Sequence, residues 1–166
     1  MKILKSISFL IFFIGFIAMA QKTPASPAET VSGKVGNATV TIKYSSPSVK
    51  GRAIWGDLVP FDKVWRAGAN NATTFENDAD LQIENKLLPK GKYTFFVIPG
   101  KTESTIIFNK TQEQWGAYKY DAEQDALRVQ IKQKAGDESL EKLIYELSEN
   151  KISLKWEKWS FDLNVK

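Results

Sequence analysis

The chain has 166 residues, 23 Lys and Arg against 19 Asp and Glu, and neither Cys nor His. Those absences exclude disulfides, Ser-His-Asp and Cys-His catalysis, zinc on its usual ligands and common haem or iron–sulfur ligation. Any catalysis must rest on carboxylates, Lys, Tyr, Arg or a metal held by oxygen ligands, and no resident metal or cofactor is expected.

The first twenty residues read as a secretory signal peptide. Lys2 and Lys5 make a basic start, Ile7 to Ala18 is almost wholly apolar, and Ala18-Met19-Ala20 is a small-x-small cleavage site. The apolar run is short for a spanning helix. Without Lys2 and Lys5 the net charge falls from +4 to +2. The remaining Lys residues are scattered among Glu and Asp, which argues against a nucleic-acid face. No later segment is apolar enough to span a membrane as a helix. The expected location is the periplasm or the exterior, and oligomeric state is left open.

Gln21 to Glu29 is rich in Pro, Ala and Ser and reads as a flexible lead-in to one domain over 30–166. Thr30 to Val35 is a predicted strand, turned at Gly36-Asn37 into Ala38 to Tyr44. There Val40, Ile42 and Tyr44 alternate with Thr39, Thr41 and Lys43, the pattern of a half-buried strand. A long irregular connection follows, to Thr74. Thr73 to Glu76 and Asp80 to Glu84 read as short strands around an Asn-Asp turn. Lys92 to Ile98 is apolar on both faces and therefore central. Ser104 to Asn109 is next, then an irregular aromatic stretch over Trp115 to Tyr120, then a strand through Leu127, Val129 and Ile131.

Ser139 to Asn150 fits helical spacing at Leu140, Leu143, Ile144 and Leu147, and strand spacing at Leu143, Tyr145 and Leu147. Strand is preferred for Leu143 to Ser148, because it completes a meander with the two alternating runs after it, Ile152 to Trp156 and Trp159 to Val165, turned at Glu157-Lys158. Eight or nine short strands predict an all-β, jelly-roll-like antiparallel sandwich with one long irregular loop. They are too short for a membrane barrel.

Three short motifs carry no chemistry. Gly100-Lys101-Thr102 lacks the first Gly of a phosphate loop. Ser139-Leu140-Glu141-Lys142 lacks the partner motifs of the serine acyltransferases it imitates. Asp121, Glu123 and Asp125 have the spacing of oxygen ligands but lack the Gly and distal Glu of a calcium loop, and read as a solvated turn.

The connection from Tyr44 to Thr74 is the most informative segment. Connections of this length in a compact domain are functional or disordered, and its aromatics together with Ile54, Leu58, Val59 and Val64 demand burial. Arg52, Trp55, Trp65, Arg66, Asn70 and Asn71 lie within it, and Trp115 and Tyr118 lie in the second aromatic stretch. Aromatic faces beside planar amide and guanidinium groups suit a sugar ring or a carboxylate. The same residues also suit stapling a loop to a sheet.

The run Tyr-Ser-x-Pro-Ser-Val-Lys-Gly-Arg from Tyr44, then Leu58-Val-Pro-Phe and Val64-Trp-Arg-x-Gly-Ala-Asn, resembles the bacterial domain-of-unknown-function family 2911. Leu88-Pro-x-Gly-x-Tyr93, Trp115-Gly-Ala-Tyr118 and Trp156-Glu-Lys extend the resemblance over about residues 24 to 165. It implies an exported protein of Bacteroidetes-type bacteria and no particular activity. The family pattern commonly has Glu where this chain has Asn71, so a general acid there would be missing.

The leading expectation is an exported module binding a carbohydrate or other small polar ligand, with no catalytic residue assigned. A hydrolase using Asp57 and Asp62 across a cleft and a partner-binding envelope domain are the alternatives. Arg66 is expected to be at least half buried and paired with loop carbonyls or a carboxylate, so that Arg66→Ala would cost about 3 kcal/mol.

Overall fold

The structure, a computed structural model, describes residues 24–166. The signal-peptide reading lies outside the described residues. Ten strands, all pairing antiparallel, form a two-layer all-β sandwich.

The large layer holds six strands. β1 (Ala28–Val35) and β2 (Ala38–Ser45) form the predicted hairpin. Gly36 takes φ +55° in its turn, a conformation that costs Gly nothing. β1 starts at Ala28 rather than Thr30. β3 (Thr74–Asn77) pairs with β2 and with β6 (Gly91–Ile98), which continues into β7 (Ser104–Asn109) and β8 (Asp125–Ile131). β4 (Leu81–Ile83) does not turn back onto β3. It pairs with β5 (Lys86–Leu88), a strand too short to show periodicity in the sequence.

The second layer is the hairpin of β9 (Lys134–Ser148) and β10 (Lys151–Asn164). The ambiguous segment is therefore strand. Glu157-Lys158 is not a turn. β10 runs straight through it with register shifts on either side of Glu157, which takes φ 54°. Such bulges reverse which parity of residue faces inward. Ile152, Leu154 and Trp156 are buried before it, and Phe161, Leu163 and Val165 after it. A turn signal and a bulge signal are locally the same, and only pairing along the whole hairpin separates them.

The core lies between the layers. Phe75, Phe95 and Phe108 of the large sheet face Leu143, Tyr145, Leu154 and Trp156 of the hairpin. Each such side chain contributes about 1.5–3 kcal/mol of apolar burial, which lets the domain stand without disulfides.

Candidate functional site

The site grows from an interruption of β3. Trp65 exchanges both backbone hydrogen bonds with Val97, at 2.8 and 2.9 Å, and Phe95 N donates to Thr73 O at 2.8 Å. Arg66 and Thr73 therefore occupy successive rungs beside β6, and residues 67–72 loop out between them. Thr73 N closes the excursion on Arg66 O at 3.2 Å. The hydroxyls of Thr73 and Tyr145 both donate to Ala67 O, at 3.0 and 2.8 Å. Ala67 holds φ 53°, a conformation that costs an L-residue of order 1 kcal/mol and persists where its surroundings over-determine it. Gly68 is needed because a Cβ there would lie 3.0 Å from Thr73 Oγ1 and 3.1 Å from Ser45 O.

The two tryptophans of the connection anchor this excursion to the hairpin. Trp65 lies in the core, 9% exposed, stacked on Trp156 at 5.9 Å and donating Nε1 to Gly68 O at 3.2 Å. Trp55 is half-buried, with one face stacked on Trp159 at 4.6 Å and its edge against Trp65 and Phe161. Phe61 adds a further ring beside Trp159. Trp65 has no exposed face to offer a ligand. Arg52 is occupied too: its guanidinium closes its own turn on Ser48 O and Val49 O. Asp57 and Asp62 are exposed.

The other five candidates come together on the outer face of the large sheet. Asn71 and Trp115 form a bridge, with Ala72 N donating to Gln114 O at 2.9 Å and Gly116 N to Asn70 O at 3.1 Å. This two-stranded ribbon joins the segments that the sequence separates by forty residues. Asn70 reaches weakly to Ser26 O at 3.4 Å. Asn71 and Trp115 are exposed, whereas their ribbon neighbours Ala72 and Gln114 are buried. Beneath the ribbon lie Phe96 and Ile107, with Val64, Ile98, Ala117 and Tyr120 around them. Tyr120 donates to Asp125 at 2.7 Å. Burial first, then that hydrogen bond, raise its pKa to about 12.

Arg66 stands beside this ribbon, one rung from Trp65 and level with Phe96. It is partly buried, as expected, but the expected pairing is absent. Its Nε is buried and meets no acceptor among the described residues. None of their ion pairs includes it. Burial lowers its pKa, and the neighbouring phenol of Tyr118 partly opposes that. Of the nearby loop carbonyls, Gly68 O accepts from the Trp65 indole and Asn70 O from Gly116 N, while Ala67 O takes two hydroxyls. Tyr118 beside Arg66 is 85% exposed, and Trp115 on the ribbon is 63% exposed, unusual for rings of that size. Gln114 was not visible from the sequence. It is 5% exposed, and both ends of its amide lack a partner among the described residues. An isolated Gln in a polar stretch gives no signal of burial. Only the ribbon pairing turns it inward.

The profile of the family described as "protein of unknown function (DUF2911)" matches residues 26–165, so the chain belongs to that family. No curated protein and no solved structure matches it.

Proposed function

We propose that this DUF2911 protein is an exported, non-catalytic binding module whose ligand carries an anionic group and an apolar face, as an acidic sugar does. The observation that carries this reading is Arg66. A buried guanidinium Nε without an acceptor is costly, and a carboxylate satisfies it with two parallel charge-assisted hydrogen bonds. Trp115 and Tyr118 offer exposed rings at the same edge for the ligand's apolar face, and Asn71 offers an amide. The hydrolase alternative requires two carboxylates flanking a cleft, and the exposure of Asp57 and Asp62 does not favour it.

Calorimetry with glucuronic acid and glucose tests the proposal. Glucuronic acid is expected to bind at least tenfold more tightly than glucose, with the difference lost in Arg66→Ala. Trp115→Ala should weaken both sugars. Equal affinity for the two sugars, or glucuronic acid binding unaltered by Arg66→Ala, would overturn the role of the guanidinium.

A further inference from the structure

The ribbon covers only part of the outer sheet face. Thr94 is tied beneath it by a hydrogen bond from its hydroxyl to Thr111 O, whereas β1, β2 and the far end of β3 are bare. Where the cover stops, a groove of about 430 Å³ opens, within the range of small-molecule sites. Thr41, Lys43, Thr74, Glu76 and Lys92 line it, and Asn71 forms its edge towards the ribbon. The charges are balanced: two lysines face Glu76 and Glu113, and Lys92 pairs with Glu76 at 3.5 Å. Such a lining does not select an anion. It presents hydroxyl, amide and carboxylate groups to a neutral, hydroxyl-rich ligand. Lys92 and the Phe96 rung of Arg66 are four residues apart on β6, about 13 Å at ~3.3 Å per residue. One chain molecule can therefore reach both places past Asn71.

We infer that this groove is a second subsite, which takes the neutral sugar units of an oligosaccharide whose acidic unit sits at Arg66. The inference rests on the reading of Arg66 given above, and extends it from a single sugar to a short chain. The preferred ligand is then an oligosaccharide with one carboxylate and neutral neighbours, not a polyanion.

The test is calorimetry on the full mature chain with three probes: glucuronic acid, neutral oligosaccharides of two to four hexoses, and the same oligosaccharides capped by one glucuronic acid. The capped series should gain about tenfold in affinity over glucuronic acid alone. Thr74→Trp, which fills the groove, should remove that gain and leave glucuronic acid binding as in the wild type. Thr41→Trp provides an independent block, should the first variant melt early. If capped oligosaccharides bind no better than glucuronic acid while Arg66→Ala still abolishes binding, the groove is overturned and the Arg66 reading survives. If neutral oligosaccharides bind, Thr74→Trp abolishes that binding, and glucuronic acid does not bind, the groove survives and the Arg66 reading falls. Binding of none of the three probes overturns both.

Discussion

Arg66 and Asp162 are both partly buried charges on strand-bound positions, and the fold treats them in opposite ways. Asp162, on the hairpin layer, receives hydrogen bonds from Lys134 at 2.8 Å, Ser153 at 2.7 Å and Ser160 at 2.9 Å, with Lys151 at 3.9 Å. Arg66, on the ribbon side, has a buried Nε with no partner. The aromatic residues divide in the same way. Trp55, Trp65, Trp156 and Trp159 pack on one another, whereas Trp115 and Tyr118 stand in solvent. One region is closely packed and its charge is fully hydrogen-bonded, although the indole Nε1 groups of Trp55 and Trp156 are buried there without a partner among the described residues. The other has the groups of a binding site and lacks only what would satisfy them. The contrast teaches that composition does not separate scaffold from site, because both regions draw on Trp, Tyr and one charged residue. Partnering does.

The largest effect should come from breaking the packed tryptophan region. Trp65→Ala removes the ring that stacks on Trp156 and the indole that holds Gly68 O, and should cost about 3–5 kcal/mol in chemical denaturation. A loss below about 1 kcal/mol would mean the cluster is not the anchor of the excursion.

Gly56→Ala should come next. Gly56 holds φ +87°, and an added Cβ would lie 2.7 Å from Cε2 of Phe61, the ring beside Trp159. Backbone strain of this kind costs about 1–3 kcal/mol, and displacement of Phe61 would carry it into the tryptophan cluster. A melting temperature equal to the wild type would show that the loop yields freely there.

Asp162 sharpens the comparison through pH. Burial alone would raise its pKa. The hydrogen bonds from Lys134, Ser153 and Ser160 and the charge of Lys134 outweigh that and lower it to about 2. Its folded-state pKa lies below the unfolded value of 3.8, so the stabilisation is present above pH 4 and is lost as pH falls from about 4 to 2. Lys134 is exposed and solvent screens the pair, so the contribution should be about 1 kcal/mol. The difference in stability between wild type and Asp162→Asn, measured from pH 5 to 2.5, should shrink over that window. A constant difference would mean the network does not hold a charge.

Much of the fold was legible because alternation reports directly on which face is buried. Val40 and Ile42 on β2, Leu127 and Val129 on β8, and Phe161 and Leu163 on β10 all obey it. Its failures have local causes. Glu157 carries a bulge that mimics a turn, and three residues of β5 are too few for a period. In the site, residue types were legible but roles were not. Trp65 and Trp115 look alike in the sequence. One is core because it bridges to Val97 on β6, three rungs beyond the Thr74–Thr94 pair and across the looped-out residues 67–72; the other is exposed because it lies on the outer side of a ribbon formed by distant segments. The expectation for Arg66 was pairing with loop carbonyls, of which the structure gives Gly68 O to Trp65 and Asn70 O to Gly116, an allocation that depends on tertiary contacts.

The smallest expected change in stability is also the most telling. Without ligand, the melting temperature of Arg66→Ala should lie within about two degrees of the wild type or above it, because an unpartnered guanidinium contributes no native hydrogen bond to lose. A paired, scaffolding Arg66 would instead cost about 3 kcal/mol, lowering the transition of a domain this size by roughly 6–15 °C. A drop of that size would contradict the assignment of Arg66 to the binding site.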